Sequence, residues 1–172
     1  MFYLVPPHYS TMKKSTIIIL IVIGGALGLI ISILPSEVSQ EKSIRIQAPV
    51  ATVYFEINAL LDTLKWSGEK GKNPQWIESK VENQLIKCGL NDQGFQKTSF
   101  LEFKLILEGD QVNVISTYRM NVSELDDRVT WMLLNGKIET MQQAMLVAIK
   151  NQSEHRAKVT EQLLRTDSTR TQ

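Results

Sequence analysis

Thiol and imidazole are nearly absent from this chain, which has one cysteine, Cys88, and two histidines, His8 and His155. A single thiol cannot close an internal disulfide, so cysteine usage leaves the redox compartment open. As a nucleophile the thiol would need a base and an electropositive setting, and both histidines lie far from it in sequence. Cys88 is therefore read as a buried structural residue. No H-x-x-x-H, C-x-x-C or dense carboxylate loop occurs, so nothing points to a metal. "GEKGK" lacks the G-K-[ST] of a phosphate loop, and no other cofactor motif is present. Charge is balanced, with 19 basic against 18 acidic residues and a net of +1. No basic run interleaved with aromatics exists, which leaves no case for a nucleic-acid partner.

What the chain does have is one long stretch without charge. Ser15 to Leu34 reads STIIILIVIGGALGLIISIL, and about twenty such residues at ~1.5 Å each match a hydrocarbon core of ~30 Å. A helix satisfies its own backbone in lipid, and Pro35 stops it. The run is too long for the apolar region of a signal peptide, and SILPSEVSQ offers no small-x-small cleavage pair. The expectation is an uncleaved single span, with a membrane as partner. Lys13 and Lys14 abut the span on a short tail free of acids, against Lys42 and Arg45 beyond it. That placement favours an inner-membrane protein with its N-terminus inside and the main domain outside. The string MKKSTIII also looks like a bacterial start, so Met12 is an alternative to Met1 as the native first residue. Gly24 and Gly28 form a G-x-x-x-G through which two membrane helices can approach closely.

With the span set aside, the 172 residues leave room for one domain of modest size. The boundaries read as a tail over 1–14, the membrane helix over 15–35, a polar spacer over 36–40, the folded domain over 41–158 and a polar, fraying tail over 159–172. Within the domain, Ser43 to Gln47 alternates around Ile44 and Ile46 as a half-buried strand. Pro49 suits a helix start, and Val53, Ile57, Leu60, Leu61 and Leu64 make one apolar stripe. Gly68 to Pro74 is a loop by composition, and Ile77 to Leu90 reads as one strand. Leu101, Phe103, Leu105 and Leu107 then alternate with charged residues. Gly109-Asp110 turns the chain, and Val112, Val114, Ser116, Tyr118, Met120 and Val122 line one face of the next strand. Val129 to Leu134 reads as a further strand ended by Asn135-Gly136. A long helix follows, with Ile138, Met141, Met145, Ala148 and Ile149 as its buried stripe. Strands with one oily face need a cover, and this helix supplies it. The fold class is α+β, with a single N-terminal transmembrane helix ahead of a curved antiparallel sheet packed on a long C-terminal helix.

Several strings resemble the polyketide cyclase/START-like superfamily (SRPBCC), whose fold is the helix grip. They are Ile46-Gln-Ala-Pro49, Val53-Tyr54, Ile57-Asn58, Leu60 and Trp66-Ser67 early in the domain. Val129-Thr130-Trp131, and Ile149-Lys150 with Glu154, lie late in it. Leu34-Pro35-Ser36-Glu37 after a span is similar to anchored bacterial members. The resemblance covers most of Glu41 to Glu154, and its middle is poor. Trp66 and Trp131 stand only 65 positions apart, which implies that a strand pair is shortened or absent.

This resemblance implies a cavity between the sheet and the last helix. Its candidate lining is Trp66, Leu101, Phe103, Leu105, Val114, Ser116, Tyr118, Met120, Trp131 and Met145. Ser116 and Tyr118 are the polar groups there, able to orient a ligand by hydrogen bonds; as filler and core aromatic they need no ligand. Paired acids and bases are missing, so the expected role is non-catalytic binding of a small apolar molecule, or a structural role in the envelope. The alternatives are a protein-interaction module with a filled core and a cyclase- or hydrolase-type enzyme.

Overall fold

A computed structural model describes residues 14–33, 35–64, 75–91 and 98–170. In chain order the elements are α1 (Lys14–Ile33), β1 (Glu37–Ile46), α2 (Val50–Thr63), β2 (Gln75–Val81), β3 (Leu85–Asn91), β4 (Thr98–Glu108), β5 (Gln111–Asn121) and α3 (Leu125–Arg170). The chain divides between Leu34 and Pro35 into two compact units.

The first unit contains α1, a helix of 20 residues. Ile17, Ile18, Ile19, Leu20, Ile21, Val22, Ile23, Leu29 and Ile33 are all exposed on it, so it is apolar on every side. Among the described residues no helix is long and apolar enough to cross a membrane.

In the second unit, the described strands form one antiparallel sheet in the order β1-β5-β4-β3-β2. Alternation drives the two longest strands. On β5, Val112, Val114, Ser116, Tyr118 and Met120 are buried, and β4 places Leu105 opposite Val114, Phe103 opposite Ser116 and Leu101 opposite Tyr118. Gly109, with φ of 66°, occupies the first central position of the connecting turn, where a two-residue hairpin favours glycine. The phase of the burial pattern agrees with the alternation except at Leu107, which is 65% exposed at the strand's end, and at Thr117, which is buried on the opposite phase of β5.

The first strand is longer than the spacing predicts. It begins at Glu37 rather than after Gln40 and pairs with β5 from Glu37–Asn121 to Ile46–Val112. The expected spacer over 36–40 is therefore mostly strand, because β5 offers a free ladder along its whole length and Val38 fills the core. Pro49 caps α2, its carbonyl accepting from Thr52 N at 2.9 Å and Val53 N at 3.1 Å. Val53, Ile57 and Leu61 are fully buried, whereas Leu64 lies past the helix end and is exposed. The single strand expected over Ile77 to Leu90 is a hairpin of β2 and β3. Its turn holds Asn83 at φ of 56°, a left-handed conformation that asparagine tolerates better than most residues.

The largest departure is at Val129 to Leu134. These residues are helix, not strand, and Asn135-Gly136 does not interrupt α3, which runs 46 residues. Both sides of β5 are already taken by β1 and β4, so the segment leaving β5 cannot turn back to pair with it as a next meander strand. Trp131, Leu134 and Ile138 instead fall at helical spacing and pack against the core. Asp126 and Asp127 stand in the first turn, where the helix dipole favours acids. The buried stripe is also rotated from the predicted one. Gln142, Met145, Leu146, Ile149 and Ser153 are buried, while Met141 is 37% exposed and Ala148 is exposed. The tail expected to fray after Val159 continues as helix to Arg170.

The helix α3 packs on β1 and β5, and α2 packs on α3. The core lies between the sheet and these two helices. The architecture is α+β, a curved five-stranded antiparallel sheet with a long C-terminal helix, as in the helix grip.

Candidate ligand site between the sheet and the last helix

The inward faces of β4 and β5 supply Leu101, Phe103, Leu105, Val114, Ser116, Tyr118 and Met120, all buried. From α3 come Trp131, half-buried, and Met145, buried. The structure brings these nine candidate residues into one core cluster apart from Ser116, which is buried beside it. Trp66 lies outside the described residues. Tyr118 and Trp131 stack with centroids 6.1 Å apart and planes inclined by 13°. The Tyr118 hydroxyl lies 3.9 Å from Met120 Sδ.

Sequence reasoning missed the most unusual group. Gln142 is fully buried in the middle of α3. Its Nε2 donates to Ser116 O at 3.1 Å, Ser116 Oγ at 3.2 Å and Gln40 O at 3.3 Å. The other end of the amide, Oε1, has no hydrogen-bond partner among the described residues, and neither does the buried Oε1 of Gln40. An unsatisfied buried acceptor costs about 1–3 kcal/mol, so polar groups in this position usually have something to accept from. The available signal was a polar residue four positions after Ile138 and three before Met145, inside an apolar stripe. The predicted stripe takes Met141 at that place instead.

The titratable groups lie elsewhere. Cys88 is buried on β3 opposite Leu101, and its thiol is pushed up to about 12 by burial, against a smaller downward pull from Lys80. That holds it as an unreactive thiol. Glu56 on α2 is buried and paired with Arg156 of α3, whose guanidinium sits 4.5 Å over the Phe55 ring. Beside this pair, a cleft of about 240 Å³ opens between α2 and α3, walled by Leu60, Thr63, Ile149 and Gln152. Carboxylates of Glu124, Asp126 and Asp127 lie within 4.8 Å of one another. The dipole of α3 accounts for their clustering without a cation.

No protein-family model matches this chain, and a comparison with curated proteins gives no match. Solved structures do match. The Aha1 dimer from Colwellia psychrerythraea aligns at 17% identity with a TM-score of 0.50, over 68% of this chain and 96% of that one. The di-domain ARO/CYC protein StfQ from the steffimycin biosynthetic pathway aligns at 9% identity with a TM-score of 0.54. That alignment covers 71% of this chain and 52% of StfQ, so this chain spans about half the di-domain protein. At such identities the likeness concerns the fold alone: the second unit has the START-like, polyketide cyclase-type fold.

Proposed function

We propose that this protein is a membrane-anchored START-like domain that holds a small, mostly apolar molecule without catalysing its conversion. The observation that carries the reading is Gln142, fully buried between sheet and helix with Oε1 unpartnered. Apolar walls with two unpartnered buried acceptors, Oε1 of Gln142 and of Gln40, suit a molecule that is oily over most of its surface and carries a hydrogen-bond donor such as a hydroxyl. The polar side chains in that layer are amides and hydroxyls, Gln142, Gln40, Ser116 and Tyr118, with no carboxylate, imidazole or amine among them. That chemistry supports binding over acid–base catalysis.

The anchor in this reading is α1. Its backbone runs 20 residues, about 30 Å at helical rise, and its described large side chains are apolar and exposed. Lys13 and Lys14 support an inner-membrane protein with the folded domain outside the cytoplasm, and Gly24 with Gly28 would allow two anchors to pair.

Full-length protein extracted from its own cells and analysed by native mass spectrometry is expected to carry an additional small mass. The variant Gln142→Leu should lose the bound mass by about tenfold, the equivalent of one hydrogen bond. It should keep the unfolding midpoint, because it removes an unsatisfied buried oxygen as well as a donor. Retention of the mass at an unchanged ratio, or no bound mass in the parent protein, refutes the binding reading. The second reading, an interaction module with a solid core, draws on the close burial of the nine described lining residues. It predicts no bound mass and a Gln142→Leu protein at least as stable as the parent.

A further inference from the structure

The ladder between β1 and β5 fixes which way each backbone group of β1 points. Val122 N donates to Ser36 O at 2.7 Å, and the register continues from Glu37–Asn121 to Ile46–Val112 without a shift. Hydrogen-bonded pairs alternate along an antiparallel ladder, so the even-numbered residues of β1 bond β5 and the odd-numbered ones turn their N–H and C=O outward. Gln47 agrees, since its N–H donates at 3.1 Å to Glu154 Oε1 of α3 rather than to β5. At 37, 39, 41, 43 and 45 the outward groups have no backbone partner among the described residues. The side chains there, Glu37, Ser39, Glu41, Ser43 and Arg45, are all exposed.

Folds that stay single usually blunt such an edge. The opposite edge strand, β2, has seven residues and a register shift between Ile77 and Ser79. By contrast β1 runs ten residues with no proline and no shift. Its one inward-phase charge, Lys42, is neutralised by Glu139 of α3.

We propose that the β1 edge pairs antiparallel with β1 of a second copy, about a two-fold axis through Ser43. Outward groups must meet outward groups, so odd residues face odd residues, and charge selects the register. Centring on Ser43 sets Glu41 opposite Arg45 on both sides of the axis. Centring on Glu41, Lys42 or Arg45 sets that charge against its own copy, and centring on Ile44 opposes no unlike charges. Arg45 also reaches Glu108 of its own chain at 3.2 Å, and its five donors can serve both carboxylates. Arg119 of β5 stands one strand further in, opposite Ser39, diagonal to Glu37 and Glu41. About six backbone hydrogen bonds cross the axis, two at each of the pairs 41–45, 43–43 and 45–41.

The last helix fits the same axis. Gln142 donates to carbonyls on both β1 and β5, so α3 lies over the boundary between them. The two-fold then sets the two copies of α3 two strand spacings apart, about 10 Å, which is a packing distance for helices. Thr140, Gln143, Ala144 and Val147 of α3 wall a surface depression together with Lys42 and Glu139, and Val147 is 40% exposed. The second copy's Ile44, opposite Lys42 in this register, meets that depression. Nothing in this contact requires α1 or a bound molecule.

The test is oxidative cross-linking of the full-length chain in mild detergent. Cys88 is buried, so an added surface cysteine is the reactive thiol. Ser43→Cys puts two thiols at the axis with Cα atoms about 5.5 Å apart, within disulfide range, and is expected to give a covalent dimer. Ser39 opposes Gln47 in this register, so its own copy stands about 27 Å along the strand; Ser39→Cys should yield at least about fivefold less. In the Ser43→Cys chain, Glu41→Arg should cut the yield about fivefold, the scale of two opposed charge pairs, and adding Arg45→Glu should restore it. Positions 39, 41, 43 and 45 are exposed, so these variants leave the core untouched. No dimer at 43 overturns the pairing. Equal yields at 39 and 43 also overturn it, and are what a dimer held through α1 alone would give. A yield that Glu41→Arg leaves unchanged, or that Arg45→Glu fails to restore, overturns the register.

Discussion

Gly89 faces the indole of Trp76 so closely that a methyl group in its place would lie inside van der Waals contact with the ring carbons Cε2 and Cζ2. Both residues are buried, and the paired strands give neither much room to shift. Gly89→Ala is therefore expected to destabilise the fold by about 1–3 kcal/mol, as overpacking does, read as a lower midpoint in chemical denaturation. Next to it, Cys88 reports on the pH response. Its folded value is raised to about 12 from 9.0, so the native state holds the proton longer than the unfolded chain does. Stability from this group is fully present below pH 9 and is lost as pH rises from there toward 12. Denaturation at pH 7, 9 and 10.5 should show a decline only at the last, and Cys88→Ala should flatten that part of the profile. A thiol reagent at pH 8 should modify Cys88 in the folded protein no faster than the fold opens.

Among the elements, α3 departs furthest from its local pattern. Val129-Thr-Trp-Met-Leu-Leu134 is rich in strand-forming residues and is followed by Asn-Gly, which by itself marks a turn. The helix wins because β5 has a neighbour on each side and because Trp131, Leu134 and Ile138 reach the core at helical spacing. Gly136 provides the check. It is exposed, mid-helix, and an added Cβ there meets no atom within 4 Å. Gly136→Ala should raise stability by about 1 kcal/mol, measured by thermal unfolding; a loss of similar size would mean that the chain turns at 135–136. The hairpin of β2 and β3 is governed by one backbone angle, the positive φ of Asn83. Asn83→Val should cost about 1–2 kcal/mol, while Asn83→Gly should cost little.

Taken as a whole, the molecule keeps its core within one unit. Every residue of the hydrophobic cluster comes from between Val38 and Ala157. A protein lacking residues 1–34 should therefore unfold within about 3 °C of the full chain, a shift below ~1 kcal/mol. Under the anchoring reading it should also leave the membrane fraction on cell breakage. A large drop in midpoint would mean that α1 contributes to the folded unit's stability. The ion pairs tying α3 to the rest, Lys42–Glu139 and Arg156–Glu56, are partly exposed and contribute modestly, so packing dominates.

Local pattern alone determined the elements whose faces differ sharply in polarity. The alternation from Leu101 to Leu105 and from Val112 to Met120, the Gly109-Asp110 turn and the Val53–Ile57–Leu61 stripe were all legible, because a period of two or 3.6 in apolar residues is enforced by burial on one side. The candidate lining from β4 and β5 followed from the same alternation. Tertiary structure decided what local pattern leaves degenerate. Whether Val129 to Leu134 is strand or helix depends on whether β5 has an open side, and the start of β1 at Glu37 depends on the length of β5. The side of α3 that turns inward depends on how it crosses β1 and β5, and that rotation puts Gln142 rather than Met141 in the buried stripe. Short apolar runs fit more than one backbone, and only the ladders and packing surfaces brought by distant segments select among them.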